Sequence, residues 1–236
     1  MNIIFYDYET SGLGRFENGK YLPCQVIQVA AVAINFDTLS FTKNDIFSSY
    51  IKPIFNDEEA IKFGVEPVQQ RALQVNNITK AQLEEAPDIK VVWPKFVDFC
   101  ARYKDGSGEY GRAICSGFNI TNFDNKLTNY ICGPLYKLGP WSDDKQCNKI
   151  FHPRDILDLQ KLLYPFIAHF PGQKSLSMDS VRQLFGFPIT GQEHNATVDV
   201  IQGALLLIKL MSWWRKMSTP SKFAGSMADV NIEQYL

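Results

Sequence analysis

Residues 3–8 form a short, largely apolar run rich in aromatic and β-branched side chains, which predicts a buried strand. The glycines Gly12, Gly14 and Gly19 with Pro23 then predict a loop of about a dozen residues, long by the usual standard. Residues 26–36 predict a second strand, and residues 46–54 alternate enough for a third. Strand, loop, strand, strand suits an antiparallel meander, after which the pattern changes. Ile89, Val92, Phe96 and Phe99 recur at helical spacing within residues 88–103. A brief strand at 113–117, a helix near 123–131, a strand at 150–156 running into a helix at 157–164, and helices at 176–185 and 196–214 complete the reading. Three strands followed by alternating helices and strands predict one α/β domain with a mixed sheet, over residues 1–218. The stretch 133–149 is expected to be a polar loop, and residues 219–236 a tail outside the compact body.

Composition narrows the partners. The chain has 236 residues, 25 acidic against 24 basic, so no basic excess marks it for phosphate backbones and any such attraction must come from a site. Five scattered cysteines without a C-x-x-C, and three histidines, argue against structural zinc and suit reduced thiols in a cytoplasmic setting. No basic, apolar leader is evident at the N-terminus, and the apolar stretch 204–214 is expected to be too short to span a bilayer, so no membrane role is anticipated.

Three groups of residues could carry chemistry. Asp7 and Glu9, at i and i+2 on the first strand, share a face and offer hard oxygen ligands to a divalent ion. Their place at the end of a buried strand distinguishes them from Asp57-Glu58-Glu59, which reads as a solvated strand end. Asp124 opens a helix after the turn that follows Gly117, where an acid also suits the helix N-terminus. His194 precedes Asp199 by five positions, placing both near the mouth of the last long helix. Asp155 and Asp158 read as capping the helix at 157–164. Trp213-Trp214-Arg215-Lys216 resembles a single-strand-binding mixture, but core packing with a cationic helix end is the preferred reading.

In order, these are D-x-E, a lone Asp and H-x-x-x-x-D, and here the sequence resembles the DnaQ-like 3′-to-5′ exonucleases of the DEDDh group. Tyr6-Asp7-Tyr8-Glu9-Thr10-Ser11-Gly12-Leu13 is similar to the family's D-x-E-T-x-G-L opening, and His194-x-Ala196-x-x-Asp199 to its H-x-A-x-x-D. Val75-Asn76-Asn77-Ile78-Thr79 resembles a segment that often reads G-I-T, with Asn77 in place of the glycine. The wording is most similar to the nuclease domain of bacterial exonuclease I.

The resemblance implies an RNase H-like fold with a five-stranded mixed sheet flanked by helices. It implies metal-dependent hydrolysis of single-stranded DNA from the 3′ end, in a bacterial or phage-infected cell. Asp7, Glu9, Asp124 and Asp199 would hold two divalent cations, Mg²⁺ or Mn²⁺, with His194 as general base. Thr10, Leu13 and Asn119 would contact the substrate. RNA 3′ ends, as in oligoribonuclease or RNase T, a proofreading module beside a polymerase, and an inactive nucleic-acid-binding module are the alternatives.

Overall fold

A computed structural model describes residues 1–168, 176–186 and 196–217. Its strands are β1 (Asn2–Thr10), β2 (Arg15–Glu17), β3 (Lys20–Leu22), β4 (Val26–Asn35), β5 (Ile46–Tyr50), β6 (Ile114–Gly117), β7 (Trp141–Ser142), β8 (Cys147–Asn148) and β9 (Ile156–Asp158). Its helices are α1 (Asp57–Phe63), α2 (Gln70–Val75), α3 (Lys80–Glu85), α4 (Ile89–Ala101), α5 (Asp124–Cys132), α6 (Leu159–Ile167), α7 (Met178–Leu184) and α8 (Ala196–Met217). The central sheet has five strands in the order β5-β4-β1-β6-β9. β4 pairs antiparallel with β1 and β5, while β6 runs parallel to β1, and β9 to β6. The expected mixed sheet with flanking helices is therefore present.

The central strand is apolar on both faces because both are covered. Ile4, Tyr6 and Tyr8 of β1 join Trp93, Phe96 and Phe99 of α4 and Leu127 and Ile131 of α5 in one core. Ile3 and Phe5, on the opposite face, join Leu159 and Leu163 of α6, Val181 of α7, and Val200, Ala204 and Leu207 of α8 in the other.

Several expectations need correction. The expected loop after Gly12 contains the β2–β3 hairpin, closed at Asn18-Gly19 with both residues at positive φ. That is the Asn-Gly signature of a tight primed turn. Residues 57–85, which carry no helical expectation, hold three short helices. Asp57, Glu58 and Glu59 form the first turn of α1, where they meet the positive end of the helix dipole, rather than a strand end. The strand expected at 150–156 is confined to β9, and the loop at 133–149 contains the short β7–β8 ladder.

The last helix is 22 residues, longer than anticipated, and by length and composition could cross a membrane. Its apolarity has a local cause, since Ala196, Val200, Ala204 and Leu207 are fully buried against the sheet. At its end, Trp213 and Trp214 pack on Phe166, while Arg215 lies over Phe36 and donates to the Phe36 and Asp37 carbonyls. The expected tail lies outside the described residues.

Candidate active site

The alternation that sends Ile3 and Phe5 of β1 toward α8 sends Asp7 and Glu9 the same way. Two acids thus replace apolar side chains at the C-terminal end of a core strand. Asp199 sits in the first turn of α8, beside the face that packs on the sheet. The approach is close because residue 203, one turn further along, is glycine: a Cβ there would lie 2.4 Å from the Phe5 ring. As a result, carboxylate oxygens of Asp7, Glu9 and Asp199 lie within 4.8 Å of one another.

Asp124 enters from the other side. β6 pairs with β1 only from Ile3 to Phe5, so the Tyr8 N–H has no strand partner there, and it donates to Asp124 Oδ1 at 3.1 Å. One turn along α5, the Thr128 hydroxyl donates to the Asp124 carbonyl (3.0 Å) and contacts the Tyr6 and Tyr8 hydroxyls at 3.1 and 2.8 Å. A hydroxyl has one proton, so with Thr128 donating to the carbonyl both tyrosines are the donors. This buried junction locks the position of α5, and hence Asp124, against β1.

Asp158 has a positioning role that its sequence context did not reveal. It is the N-cap residue of α6, but its buried carboxylate makes no cap bond. It accepts instead from the Asn119 and Thr121 amides at 3.1 and 3.3 Å, with Lys161 Nζ 3.5 Å away. That fixes the turn leading to Asp124, in which Asn119 takes a left-handed φ of 57°. Asp155, also expected to cap the helix, instead donates its backbone amide to His152 Nδ1 at 3.1 Å.

The remaining expected positions fall as follows. Thr10 is buried, its hydroxyl bonded to the Gly12 carbonyl and its own carbonyl to Asn76 Nδ2. The adjacent Asn77 adopts φ 52°, a conformation in which asparagine serves in place of glycine. Leu13 is 78% exposed. His194 lies outside the described residues, two positions before the first residue of α8.

The electrostatics are those of acids crowded out of water. Burial, then the neighbouring Asp124, Glu9 and Asp199, push the Asp7 carboxyl well above the usual range, with Arg182 opposing. Burial and then Asp199 and Asp124 raise Glu9 to about 7. Asp124 is also raised to about 7 by burial, held down by its amide hydrogen bonds and pushed up by Asp158. The principal omission of the sequence reading is Arg182. This buried α7 residue places its guanidinium 2.5 Å from Asp199 Oδ1 and brings a positive charge to the cluster.

A divalent metal fits this arrangement. The donors are all hard oxygens, and burial favours the protonated form of Asp7, Glu9 and Asp124 unless a cation replaces the proton. Gln28, paired directly across from Glu9 and facing the same side, has its buried Oε1 without a hydrogen-bond partner among the described residues.

Removal of Arg182 isolates its contribution. Arg182→Met is expected to lower the stability of the metal-free protein by ~3 kcal/mol, the scale of breaking a buried ion pair. Mn²⁺ should recover much of the loss by supplying positive charge in its place. Thermal unfolding in EDTA and in Mn²⁺ checks this, and an equal deficit under both conditions would contradict it.

Comparison with known proteins gives the family of the chain. The exonuclease family model RNase_T matches residues 4–207. No curated protein sequence matches significantly. Among solved structures, cell-death related nuclease 4 (CRN-4) is similar at TM-score 0.62 and 17% identity, covering 90% of this chain and 64% of that one. The nuclease domain of 3′hExo, a DEDDh family member bound to rAMP, is similar at TM-score 0.60 and 16% identity, covering 89% and 92%. Escherichia coli exonuclease I in complex with a dT13 oligonucleotide is similar at 0.60 and 16%, covering 99% of this chain and 47% of that one. The chain thus spans about two thirds of CRN-4 and about half of exonuclease I. At these identities the likeness shows the fold, while the family match covers most of the chain. This chain belongs to the exonuclease family RNase_T.

Proposed function

We propose that the chain is a divalent-metal-dependent exonuclease that hydrolyses single-stranded DNA from its 3′ end to 5′-mononucleotides. The observation that carries this reading is the meeting of Asp7, Glu9 and Asp199 within 4.8 Å, in a chain of the exonuclease family.

Asp7, Glu9 and Asp199 would hold one ion, and Asp7 with Asp124 a second, with Mg²⁺ or Mn²⁺ suited to oxygen donors. When bound, the two ions would stabilise the attacking and leaving oxygens of an in-line displacement at the last phosphodiester. The protein's own groups do the rest. Glu9 and Asp124, both raised to about 7, would have to lose their protons to serve as ligands, which would couple occupancy to pH. His194 would take the proton of the attacking water, since an unperturbed imidazole titrates near working pH. Thr10, braced at the end of β1, would present its backbone to the terminal nucleotide. Leu13 would wedge against the last base, and Asn119 would hold the strand.

The likeness to 3′hExo bound to rAMP, of which this chain covers 92%, supports a second reading in which RNA 3′ ends are the substrate. Digestion of 5′-labelled single-stranded DNA, duplex DNA and RNA with Mg²⁺, Mn²⁺ or EDTA separates the two. A ladder shortening from the 3′ end is expected, fastest on single-stranded DNA. Cleavage that survives both EDTA and Asp7→Ala, or none on any substrate, would overturn the metal-dependent reading. A rate for His194→Ala within a few-fold of the parent would remove only the general-base role.

A further inference from the structure

Six residues beyond Glu9, the chain rises into the β2–β3 hairpin, whose chemistry the catalytic cluster does not use. Phe16 and Tyr21 face each other across it, with ring centroids 5.3 Å apart. Phe16 is 77% exposed, and Leu13 just before the hairpin is equally open. Arg15, Glu17 and Lys20 alternate onto the opposite face of the hairpin, where Arg15 meets Glu17 at 2.8 Å.

The base of this hairpin is clamped. Ser11 and Gln25 exchange two hydrogen bonds, from the Ser11 amide to the Gln25 carbonyl and from the Gln25 amide to Ser11 Oγ. The Gln69 amide donates to the Ser11 carbonyl, and the Gly14 amide to Glu66 Oε2. The Glu66 amide in turn donates to the Pro23 carbonyl. Gly12 is needed for this closeness, since a Cβ there would lie 2.3 Å from Glu66 Oε2. Tyr21 further ties the second strand to the root by donating to the Leu13 carbonyl at 3.4 Å. An exposed aromatic pair is therefore presented from a fixed root, within about 20 Å of chain from Glu9.

We propose that this hairpin is a stacking platform for single-stranded DNA, taking bases a few nucleotides 5′ of the scissile end on the faces of Phe16 and Tyr21. The proposal rests on the exonuclease reading and deepens it. Chain continuity with Thr10 and Leu13 places the platform along the same strand. Every base has a face to stack, so an exposed aromatic pair takes single-stranded bases without regard to sequence. Bases already stacked in a duplex have no free face to offer, so the hairpin would favour single strands.

The test measures binding of a fluorescent single-stranded DNA 12-mer by anisotropy in the Asp7→Asn background with Mn²⁺, alongside quenching of 2-aminopurine placed three nucleotides from the 3′ end. The Phe16→Ala/Tyr21→Ala pair is expected to weaken binding at least ~10-fold and abolish the quenching, while Phe16→Trp keeps both. Phe16→Leu/Tyr21→Leu, which keeps an apolar cross-strand pair without aromatic faces, should behave like the alanine pair. Full binding by the leucine pair would mean that the aromatics only hold the hairpin together, and would overturn the proposal. So would binding within twofold of the parent by the alanine pair, or a loss confined to an RNA 12-mer. The exonuclease reading is checked separately, by whether the parent protein shortens DNA in Mn²⁺.

Discussion

Asp7→Asn is expected to reduce the rate of 3′-end hydrolysis by about three orders of magnitude while leaving the metal-free protein at least as stable as the parent. Both effects have one origin. Asp7 lies at the centre of the cluster, and its carboxyl is pushed well above the ordinary range by burial, Asp124, Glu9 and Asp199. Asparagine preserves the shape and removes the charge, so repulsion among the remaining acids falls while the oxygen proposed to serve both ions is lost. The stability gain should grow with pH, because the parent Asp7 must then ionise against its neighbours. Initial rates on a 5′-labelled oligonucleotide with Mn²⁺, and melting in EDTA, measure the two effects. A rate within tenfold of the parent, or a lower melting temperature, would show that Asp7 is a structural residue.

The metal-free protein should also lose stability as pH rises from 5 to 8. Glu9 and Asp124 are both raised to about 7, from ordinary values of 4.5 and 3.8. A carboxyl whose folded-state pKa lies above its unfolded value holds its proton more tightly when folded. Its contribution is complete below the unfolded value and is lost as pH climbs through the folded one. The expected fall in melting temperature is on the order of 10 °C across that range. Saturating Mg²⁺ or Mn²⁺ should flatten the profile, because the ion and the protons compete for the same oxygens. Calorimetric scans in EDTA and in metal check the sign, and a melting temperature that rises with pH in EDTA would contradict it.

The parts of this structure that could be read from the chain are those where local pattern and long-range fold agree. β1 announces itself by an apolar run ending in D-x-E, and α8 by its spaced apolar face with an acid in the first turn. The β2–β3 turn was equally legible, since Asn18-Gly19 is a strong hairpin signal, but the surrounding glycines suggested a loop. α1, α2 and α3, at six or seven residues each, are too short to establish a period. Their marks are at the ends: Asn56 and Gly64 bracket α1, and Thr79 with Gln82 forms a capping box on α3. At the site, the acids were legible because burial makes a charge conspicuous among apolar neighbours. Arg182 was not, because its meeting with Asp199 depends on how α7 crosses α8. Gln28 and Thr128 depend on strand register and helix docking, which no short window of sequence contains.

The Thr128 hydroxyl, bonded at once to Tyr6, Tyr8 and the Asp124 carbonyl, divides the site into two halves of different character. Asp7, Glu9 and Asp124 ride on a bracket whose spacing is set by covalent strand geometry and a saturated polar junction, with or without an ion. Asp199 reaches them from a separate helix, through the packing of Gly203 on Phe5 and the charge of Arg182. Substitutions in the bracket should therefore act mainly on chemistry. Substitutions along the α8 contact should act mainly on how much ion is needed to draw the two halves together, giving enzymes that differ in metal requirement while sharing one maximal rate.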